Sequence, residues 1–168
     1  MFETKLDIGC GNKKRLGFIG LDIRPTLQTD YVCSLQEAHN IFPYGTVDEI
    51  YSRRVIQHIP DDVAAFKEVS KLLRVGGRAT IILSGYRAWL YYHLWWKHWN
   101  LNSYPCFHLY TKGRLKRKLA KAGWTFAHKL QCNPGLSFTH VIYRTSEGCG
   151  PHSFDLEVKL FKLPALEM

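Results

Sequence analysis

The amino-acid sequence predicts an α/β fold, in which a doubly wound, mostly parallel sheet of seven strands carries helices on both faces of a single domain. Three observations indicate this class. Short apolar segments typical of strands alternate with helical segments along the chain. The segment 78–84 is almost continuously apolar, as expected of a central parallel strand that is covered on both faces. The length of 168 residues is sufficient for one domain with its own core.

The first half of the chain contains four predicted strands and one predicted helix. The strands are expected at residues 5–9, 18–23, 30–33 and 48–53. Pro60 and the two acidic residues after it are typical of the first turn of a helix. An apolar stripe continues at helical spacing to Leu73, and Gly76 with Gly77 is expected to end the helix.

The second half is less regular. Residues 86–110 are very aromatic, and we expect them to be irregular or helical. A helix is predicted over 111–122, with Thr111 as its N-cap residue. Two closing strands are then expected, at 124–130 and 139–144. From Ser146 onward the pattern predicts a tail with one amphipathic patch.

The cysteines and the hydropathy pattern argue against a disulfide-stabilised secreted protein and against a membrane-spanning one. Five cysteines are present, an odd number, and none forms a C-x-x-C pair, which favours a reducing compartment over a disulfide framework. Lys5 and Asp7 interrupt the start of the chain, so a signal peptide is not predicted. No uncharged apolar stretch is long enough to span a bilayer. We therefore expect a cytoplasmic protein, and peripheral contact with a membrane stays open.

Charge is distributed unevenly along the chain. The formal net charge is +9, yet no Asp or Glu occurs between Glu68 and Glu147. Lys and Arg recur throughout that stretch, so the second half presents a cationic surface. Such a surface fits an anionic substrate, carrier or membrane. The alternative is a basic surface that only keeps the protein soluble.

A glycine-rich loop follows the first predicted strand. Residues 6–12 are Leu-Asp-Ile-Gly-Cys-Gly-Asn, in which Gly9 and Gly11 let the backbone approach a ligand closely. Asp22 ends the next apolar segment, where a carboxylate can accept hydrogen bonds from both hydroxyls of a ribose. Lys14 occupies the third glycine position of the dinucleotide fingerprint, and the residues after it are too few and too polar for a pyrophosphate-binding helix. The loop therefore predicts a ribose-containing ligand without phosphate.

Four segments in order, LDIGCGN, GLDIRP, VDEIYSRRVIQHIPD and LLRVGGRATIILS, resemble the signature segments of class I S-adenosylmethionine-dependent methyltransferases. The closest likeness is to the compact, type 11-like subgroup. The resemblance is strong over 4–85 and loose over 107–144. It implies a Rossmann-like domain over 1–145, with 86–110 as an aromatic insertion or lid on the acceptor side and 146–168 as a tail.

The resemblance also implies a cofactor, S-adenosylmethionine, with S-adenosylhomocysteine as the product. Asp7 would attract the sulfonium group, Asp22 would bind the ribose, and Ile23 would pack against the adenine. Ser34 replaces the aspartate that the subgroup often places at the adenine edge. Arg53 would contact either the cofactor carboxylate or the acceptor. The predicted cofactor-binding set is Asp7, Gly9, Cys10, Gly11, Asn12, Asp22, Ile23, Ser34, Leu35 and Arg53.

His58 is the candidate catalytic residue, because it matches the histidine of the family's Val-x-x-His-Ile segment. It would act as a general base for an acceptor hydroxyl or amine; the alternative is that it packs beneath the pocket. Transfer of a methyl group from a sulfonium depends mainly on positioning, so a base is not obligatory. No metal site is predicted, since the spacing of the nearby ligand-type residues matches no standard zinc pattern: His93, His98, Cys106 and His108.

These patterns together predict methyl transfer to O or N of an anionic or surface-linked small molecule, glycan or lipid. The alternatives are an RNA-directed methyltransferase and a non-catalytic module that binds nucleic acid or a protein. Segment 86–99 could be a packed lid, a membrane-interface element or a stacking platform. Because strand one is predicted almost at the first residue, without the N-terminal helices of many family members, we expect an open pocket or one completed by a second copy in a homo-oligomer. Candidate contacts with RNA or an anionic membrane are Lys112, Arg114, Lys116, Arg117, Lys118 and Lys121.

Overall fold

The computed structural model describes residues 3–85, 106–126, 136–138, 142–143 and 155–164. Within these ranges the chain forms nine strands, which we number β1 to β9. They are Lys5–Ile8, Ile19–Asp22, Tyr31–Val32, Val47–Arg53, Leu73–Leu83, Thr125–Phe126, Leu136–Phe138, Ile142–Tyr143 and Leu156–Lys162. Helix α1 spans Asp62–Leu72 and α2 spans Lys112–Lys121, and two short 3₁₀ helices occupy Leu35–Asn40 and Ile56–His58.

All nine strands belong to one sheet. Their order is β3-β2-β1-β4-β5-β9-β7-β6, and β8 pairs with β9 beside this path. Strands β1 to β5 are parallel to one another, whereas β9 is antiparallel to β5, β7 and β8. The predicted α/β class with a mostly parallel sheet is therefore confirmed. The predicted number of seven strands is not, because the described residues alone contain nine.

The first four strands lie where the apolar pattern predicts them, each within a residue or two of its expected ends. Helix α1 begins as predicted, with the Asp61 carboxylate as its N-cap accepting a 2.9 Å hydrogen bond from the Ala64 N–H. The predicted end at the glycine pair is wrong. The helix stops at Leu72 and the chain enters β5 directly, so that Gly77 lies inside a strand. A Cβ there would lie 2.9 Å from the Arg74 carbonyl oxygen, which accounts for glycine.

The predicted tail is wrong for residues 156–162, which form β9 in the middle of the sheet. The pairing runs from Leu83 opposite Leu156 to Arg78 opposite Phe161. Leu156, Val158 and Leu160 are fully buried, because a strand places alternate side chains on the same face. The patch that looked amphipathic is thus the period-two pattern of a core strand.

Helix α2 is confirmed in position and orientation. The Thr111 hydroxyl caps it by accepting a hydrogen bond of 3.2 Å from the Arg114 N–H, and Leu115 and Leu119 are fully buried as predicted. The predicted lid or insertion falls largely on 86–105, outside the described residues, so it stays a prediction. Among the described residues, no helix combines the length and apolar character needed to cross a bilayer.

Candidate cofactor site

A cavity of about 240 Å³ opens at the carboxyl ends of β1, β2 and β4. Ligands of open parallel sheets bind at this edge, because the loops that leave the strands diverge there. Seven of the predicted site residues line the cavity: Gly9, Asp22, Ile23, Ser34, Leu35, Arg53 and His58. The structure therefore brings together side chains from the first two strand ends, the first 3₁₀ helix and the end of β4.

Gly9 lines the cavity in a backbone conformation that favours glycine. Its φ angle is 71°, and its N–H donates a 2.7 Å hydrogen bond to the Leu21 carbonyl. A Cβ on Gly9 would lie only 2.0 Å from Cγ2 of Val55, which reaches over the loop from the end of β4. Both the φ angle and the close approach of Val55 therefore require glycine at this position.

Asp22 joins the two loops that border the cavity. Its carboxylate is 7% exposed and accepts hydrogen bonds from the Gly11 N–H at 2.9 Å and from the Arg24 N–H at 3.0 Å. An ionised carboxylate has about four acceptor positions. Asp22 can therefore hold both loops and still accept hydrogen bonds from ligand hydroxyls.

Four members of the predicted set lie outside the cavity lining: Asp7, Cys10, Gly11 and Asn12. Asp7 is 3% exposed, and its carboxylate accepts a 2.7 Å hydrogen bond from the Arg15 N–H. Burial raises the pKa of Asp7. Cys10 is also buried, with its Sγ 3.7 Å from the Gln28 carbonyl oxygen. Here Asp7 fixes the shape of the glycine loop from behind instead of lining the cavity.

Ser34 and Leu35 form another wall, at the start of the first 3₁₀ helix. The Ser34 hydroxyl donates a 2.7 Å hydrogen bond to Oε2 of Glu37, since a carboxylate can only accept. The lone pairs of the Ser34 oxygen thus remain acceptors at the cavity wall. Leu35 is nearly buried, whereas Ile23 is 59% exposed and presents an apolar surface to an incoming ligand.

The end of β4 carries two adjacent arginines in different environments. Arg53 is exposed, whereas Arg54 makes two hydrogen bonds to the Asp155 carboxylate, Nε–Oδ2 at 3.2 Å and Nη2–Oδ1 at 3.1 Å. Arg54 has a φ angle of 60°, and among the described residues it is the one non-glycine residue with positive φ. Asp155 directly precedes β9, in the region predicted to be a tail, so the sequence pattern does not reveal this pair.

His58 ends the second 3₁₀ helix and is half-buried at the cavity. The neighbouring Gln57 fixes this turn, because its side-chain amide makes hydrogen bonds of 2.8 and 3.0 Å with the backbone N–H and hydroxyl of Ser84. The Gln57 carbonyl accepts hydrogen bonds from the N–H groups of Phe107 and His108. The position of His58 is thus set by the contacts of Gln57 with Ser84, which follows β5, and with Phe107 and His108, which precede α2.

A buried network behind this turn connects α1 with α2. The Asp62 carboxylate, 1% exposed, accepts hydrogen bonds from the Tyr110 hydroxyl at 2.9 Å and from Nζ of Lys118 at 2.7 Å. Burial raises the pKa of Tyr110 well above its usual value, with the Asp62 carboxylate adding to the effect. Lys118 was predicted among the exposed basic contacts, and the structure corrects this, since its ammonium group neutralises Asp62.

Nε2 of His108 lies 2.9 Å from the carbonyl oxygens of both Ile59 and Pro60, so this nitrogen carries a proton and donates. Cys106 Sγ donates to the His108 carbonyl at 3.4 Å. His93 and His98 lie outside the described residues. Within the described part of the chain, no group of three or more His, Cys, Asp or Glu residues could hold a metal ion.

Residues 6–81 match the family model described as "Methyltransferase domain". No curated protein sequence matches the chain. A solved S-adenosylmethionine-dependent methyltransferase from Listeria monocytogenes shares 12% identity and a TM-score of 0.60, with 95% of this chain and 91% of that chain covered.

Two further solved structures have the same fold. One is the 1,6-didemethyltoxoflavin-N1-methyltransferase of Burkholderia thailandensis with bound S-adenosylhomocysteine (12% identity, 95% and 71% coverage, TM-score 0.60). The other belongs to a Haloferax volcanii complex between the Trm112 methyltransferase activator and a methyltransferase (15% identity, 96% and 83% coverage, TM-score 0.57). The chain therefore has the fold of class I S-adenosylmethionine-dependent methyltransferases, and its residues 6–81 are similar to the methyltransferase-domain family model.

Proposed function

We propose that this protein is an S-adenosylmethionine-dependent methyltransferase that acts on O or N of an anionic small-molecule, glycan or lipid acceptor. The observation that carries the proposal is the cavity at the carboxyl ends of β1, β2 and β4, where the left-handed backbone of Gly9 and the Asp22 carboxylate lie together. The family match and the S-adenosylhomocysteine bound to the Burkholderia neighbour support the choice of cofactor.

The residues of the cavity fit the parts of this cofactor. Asp22 would accept hydrogen bonds from the ribose hydroxyls, since only part of its acceptor capacity is used by the two loops. Ile23 and Leu35 supply apolar surface for the adenine. Ser34 would accept a hydrogen bond from the adenine amino group, because Glu37 already accepts the proton of its hydroxyl. Glu37 thereby compensates for the carboxylate that the family often places at Ser34.

When bound, S-adenosylmethionine supplies a methyl group on a sulfonium, which is activated for in-line displacement. The protein then has to orient the acceptor and exclude other nucleophiles. His58 lines the cavity and would accept the proton that a hydroxyl or amine acceptor loses. Arg24 and Arg53 are exposed at the same cavity and would attract a negatively charged group on the acceptor.

Calorimetric titration with S-adenosylmethionine, S-adenosylhomocysteine and NAD tests the cofactor. We expect micromolar dissociation constants for the first two ligands and no heat with NAD. Asp22→Ala should abolish this heat, whereas Asp30→Ala should retain it. The second variant is a matched control, because Asp30 also accepts a backbone hydrogen bond at a strand end, from Gly20 N–H at 2.7 Å, but does not line the cavity. Equal binding by the wild type and Asp22→Ala would contradict the proposal.

Methyl transfer to pooled anionic and neutral acceptors, followed with a labelled donor, tests the acceptor class. Arg53→Gln should raise KM for an anionic acceptor and leave the cofactor affinity unchanged. His58→Gln should lower kcat by about 10² to 10⁴ if His58 is the base. A fall of less than about tenfold would assign His58 a packing role. Transfer to neutral acceptors alone would overturn the anionic class.

A further inference from the structure

The exposed side of α2 carries positive charge along its whole length. Leu115 and Leu119 are fully buried and fix which side of the helix faces the core. Arg114, Arg117 and Lys121 follow a spacing of three and four residues, so they form a row along one side of the helix, and all three are exposed. We call these three residues the cationic row. Exposed Lys112 and Lys116 flank it, and the helix contains no acidic residue.

This arrangement of charge lowers the stability of the helix. Like charges three and four residues apart repel each other, as Arg114, Arg117 and Lys121 do. Lys112 and Arg114 also lie in the first turn, where the helix dipole is positive and no acidic side chain offsets it. Asp62 neutralises Lys118 on the packed side but is buried. The cationic row is thus unfavourable for the helix alone and becomes favourable when an anionic partner covers it.

Charge complementarity and side-chain chemistry indicate the partner. Apart from Arg114 and Arg117, the exposed face of α2 offers no side chain suited to reading nucleic-acid bases, since it carries no amide, hydroxyl or aromatic group. A surface that recognises charge alone suits the headgroups of an anionic bilayer, to which basic clusters bind electrostatically. Phe107 precedes the helix by five residues and is 48% exposed, so an apolar side chain is also available at the surface in this part of the chain.

We propose that α2 binds the surface of a phospholipid bilayer that contains anionic lipids, through Arg114, Arg117 and Lys121. A basic residue near an anionic membrane contributes about 1 kcal/mol, which is about fivefold in affinity. Loss of the cationic row should therefore weaken binding by about 100-fold. This inference is independent of the methyl donor, since vesicle binding requires neither cofactor nor acceptor.

Sedimentation of the full chain with vesicles tests the proposal. We expect binding to vesicles of phosphatidylcholine mixed with phosphatidylglycerol, weakening as salt is added, and no binding to phosphatidylcholine alone. The triple variant R114Q/R117Q/K121Q should lose about 100-fold in affinity. Glutamine has a helix propensity close to that of Lys and Arg, and circular dichroism checks that the fold is kept.

The matched control is K13Q/K67Q/K159Q, which removes the same number of exposed charges from residues outside α2. It should lose less than about fivefold in vesicle affinity. Equal losses by the two triple variants would overturn the proposal in favour of a general effect of net charge. Unchanged vesicle binding by the α2 variant together with weakened binding to a single-stranded RNA probe would assign the cationic row to nucleic acid.

Discussion

The carboxylates on the two sides of the cavity have different hydrogen-bond donors. Around β1 and β2, Asp7, Asp22 and Asp30 accept hydrogen bonds from backbone N–H groups 8 to 11 residues away in the sequence, and Asp30 also accepts from the Lys14 ammonium 16 residues away. Near the end of β4 and the start of α1, Asp155 and Asp62 accept from side chains. Their donors lie 48, 56 and 101 residues away. The first side is therefore shaped locally, whereas the second depends on distant parts of the chain.

This difference determines what each carboxylate stabilises. A carboxylate that accepts from backbone N–H groups fixes the shape of one loop, and its loss leaves only neutral N–H groups without that acceptor. Asp62 and Asp155 are each 1% exposed and neutralise cations that are themselves partly buried. Removal of such a partner leaves an uncompensated charge, which costs more. The two sides should consequently respond to substitution with effects of different size.

The largest effect is expected for Asp62→Ala. The variant leaves the Lys118 ammonium and the Tyr110 hydroxyl without their shared acceptor and removes the hydrogen bonds that connect α2 and Tyr110 to α1. The free energy of unfolding should fall by about 4 kcal/mol, as for other broken buried ion pairs. Urea unfolding followed by circular dichroism measures it.

Asp61→Ala is the adjacent control for Asp62→Ala. Asp61 is exposed and caps α1 through the Ala64 N–H, so its loss should cost about 1 kcal/mol, the usual value of an N-cap. Similar losses in the two variants would mean that the Asp62 network contributes no more than a cap does.

A double-mutant cycle on Arg54 and Asp155 sharpens the comparison. Asp155→Ala should destabilise the fold by about 3 kcal/mol, because the partly buried Arg54 guanidinium loses both hydrogen bonds to the Asp155 carboxylate. In the Arg54→Met background the same change should cost less than about 1 kcal/mol, since the uncompensated charge is gone. Urea unfolding of all four proteins gives the coupling energy, and a value near zero would show that the pair does not connect β4 to β9.

The side of the cavity at β1 and β2, whose contacts are local in the sequence, was predicted well from the sequence. The pattern Asp-x-Gly-Cys-Gly and the strand that ends at Asp22 are contained in a short stretch, so spacing alone places Gly9 and Asp22 together. Periodicity also placed α2 with Leu115 and Leu119 inside, since an amphipathic helix identifies its own buried face.

The side at the end of β4 and the start of α1 was predicted less well. Its contacts join residues that are far apart in the sequence, so no short segment contains them. Leu156, Val158 and Leu160 form a strand pattern, but only pairing with β5 distinguishes a core strand from an amphipathic tail. Lys118 resembles its basic neighbours in sequence, and its role becomes visible only when Asp62 is placed beside it. A local pattern specifies periodicity and cannot specify which distant partner completes a charge pair.

Substitution of two glycines in the loop after β1 should cause losses of stability of intermediate size. Gly9→Ala should cost about 2 kcal/mol, because alanine is strained at a φ of 71° and its Cβ would overlap Val55. Gly11→Ala, at a φ of 52° with no atom within 4 Å of the added Cβ, should cost about 1 kcal/mol. Urea unfolding gives both values, and the titration with S-adenosylhomocysteine should show the greater loss for Gly9→Ala. A larger loss at Gly11 would contradict the close packing of Val55 over the loop.

The smallest expected effect is on the pH dependence of stability. Asp7 and Asp30 should contribute to this dependence with opposite signs. Burial raises the pKa of Asp7, so the folded state binds its proton more tightly than the unfolded chain does. The stability that Asp7 contributes is present below about pH 4 and is lost as the pH rises through the raised pKa. Asn at this position keeps an acceptor for the Arg15 N–H, so Asp7→Asn should gain stability relative to the wild type over that range.

Asp30 should show the opposite pH dependence of stability from Asp7, because its pKa is lowered. The Gly20 N–H, and then the Lys14 ammonium, lower the pKa of Asp30, so its contribution is present above about pH 4 and is lost as the pH falls through the lowered pKa. Asp30→Asn should therefore lose stability relative to the wild type as the pH rises from acid to neutral. Thermal unfolding of the three proteins across this range separates the two signs. Parallel curves for both variants would mean that burial does not distinguish Asp7, behind the glycine loop, from Asp30 at the surface.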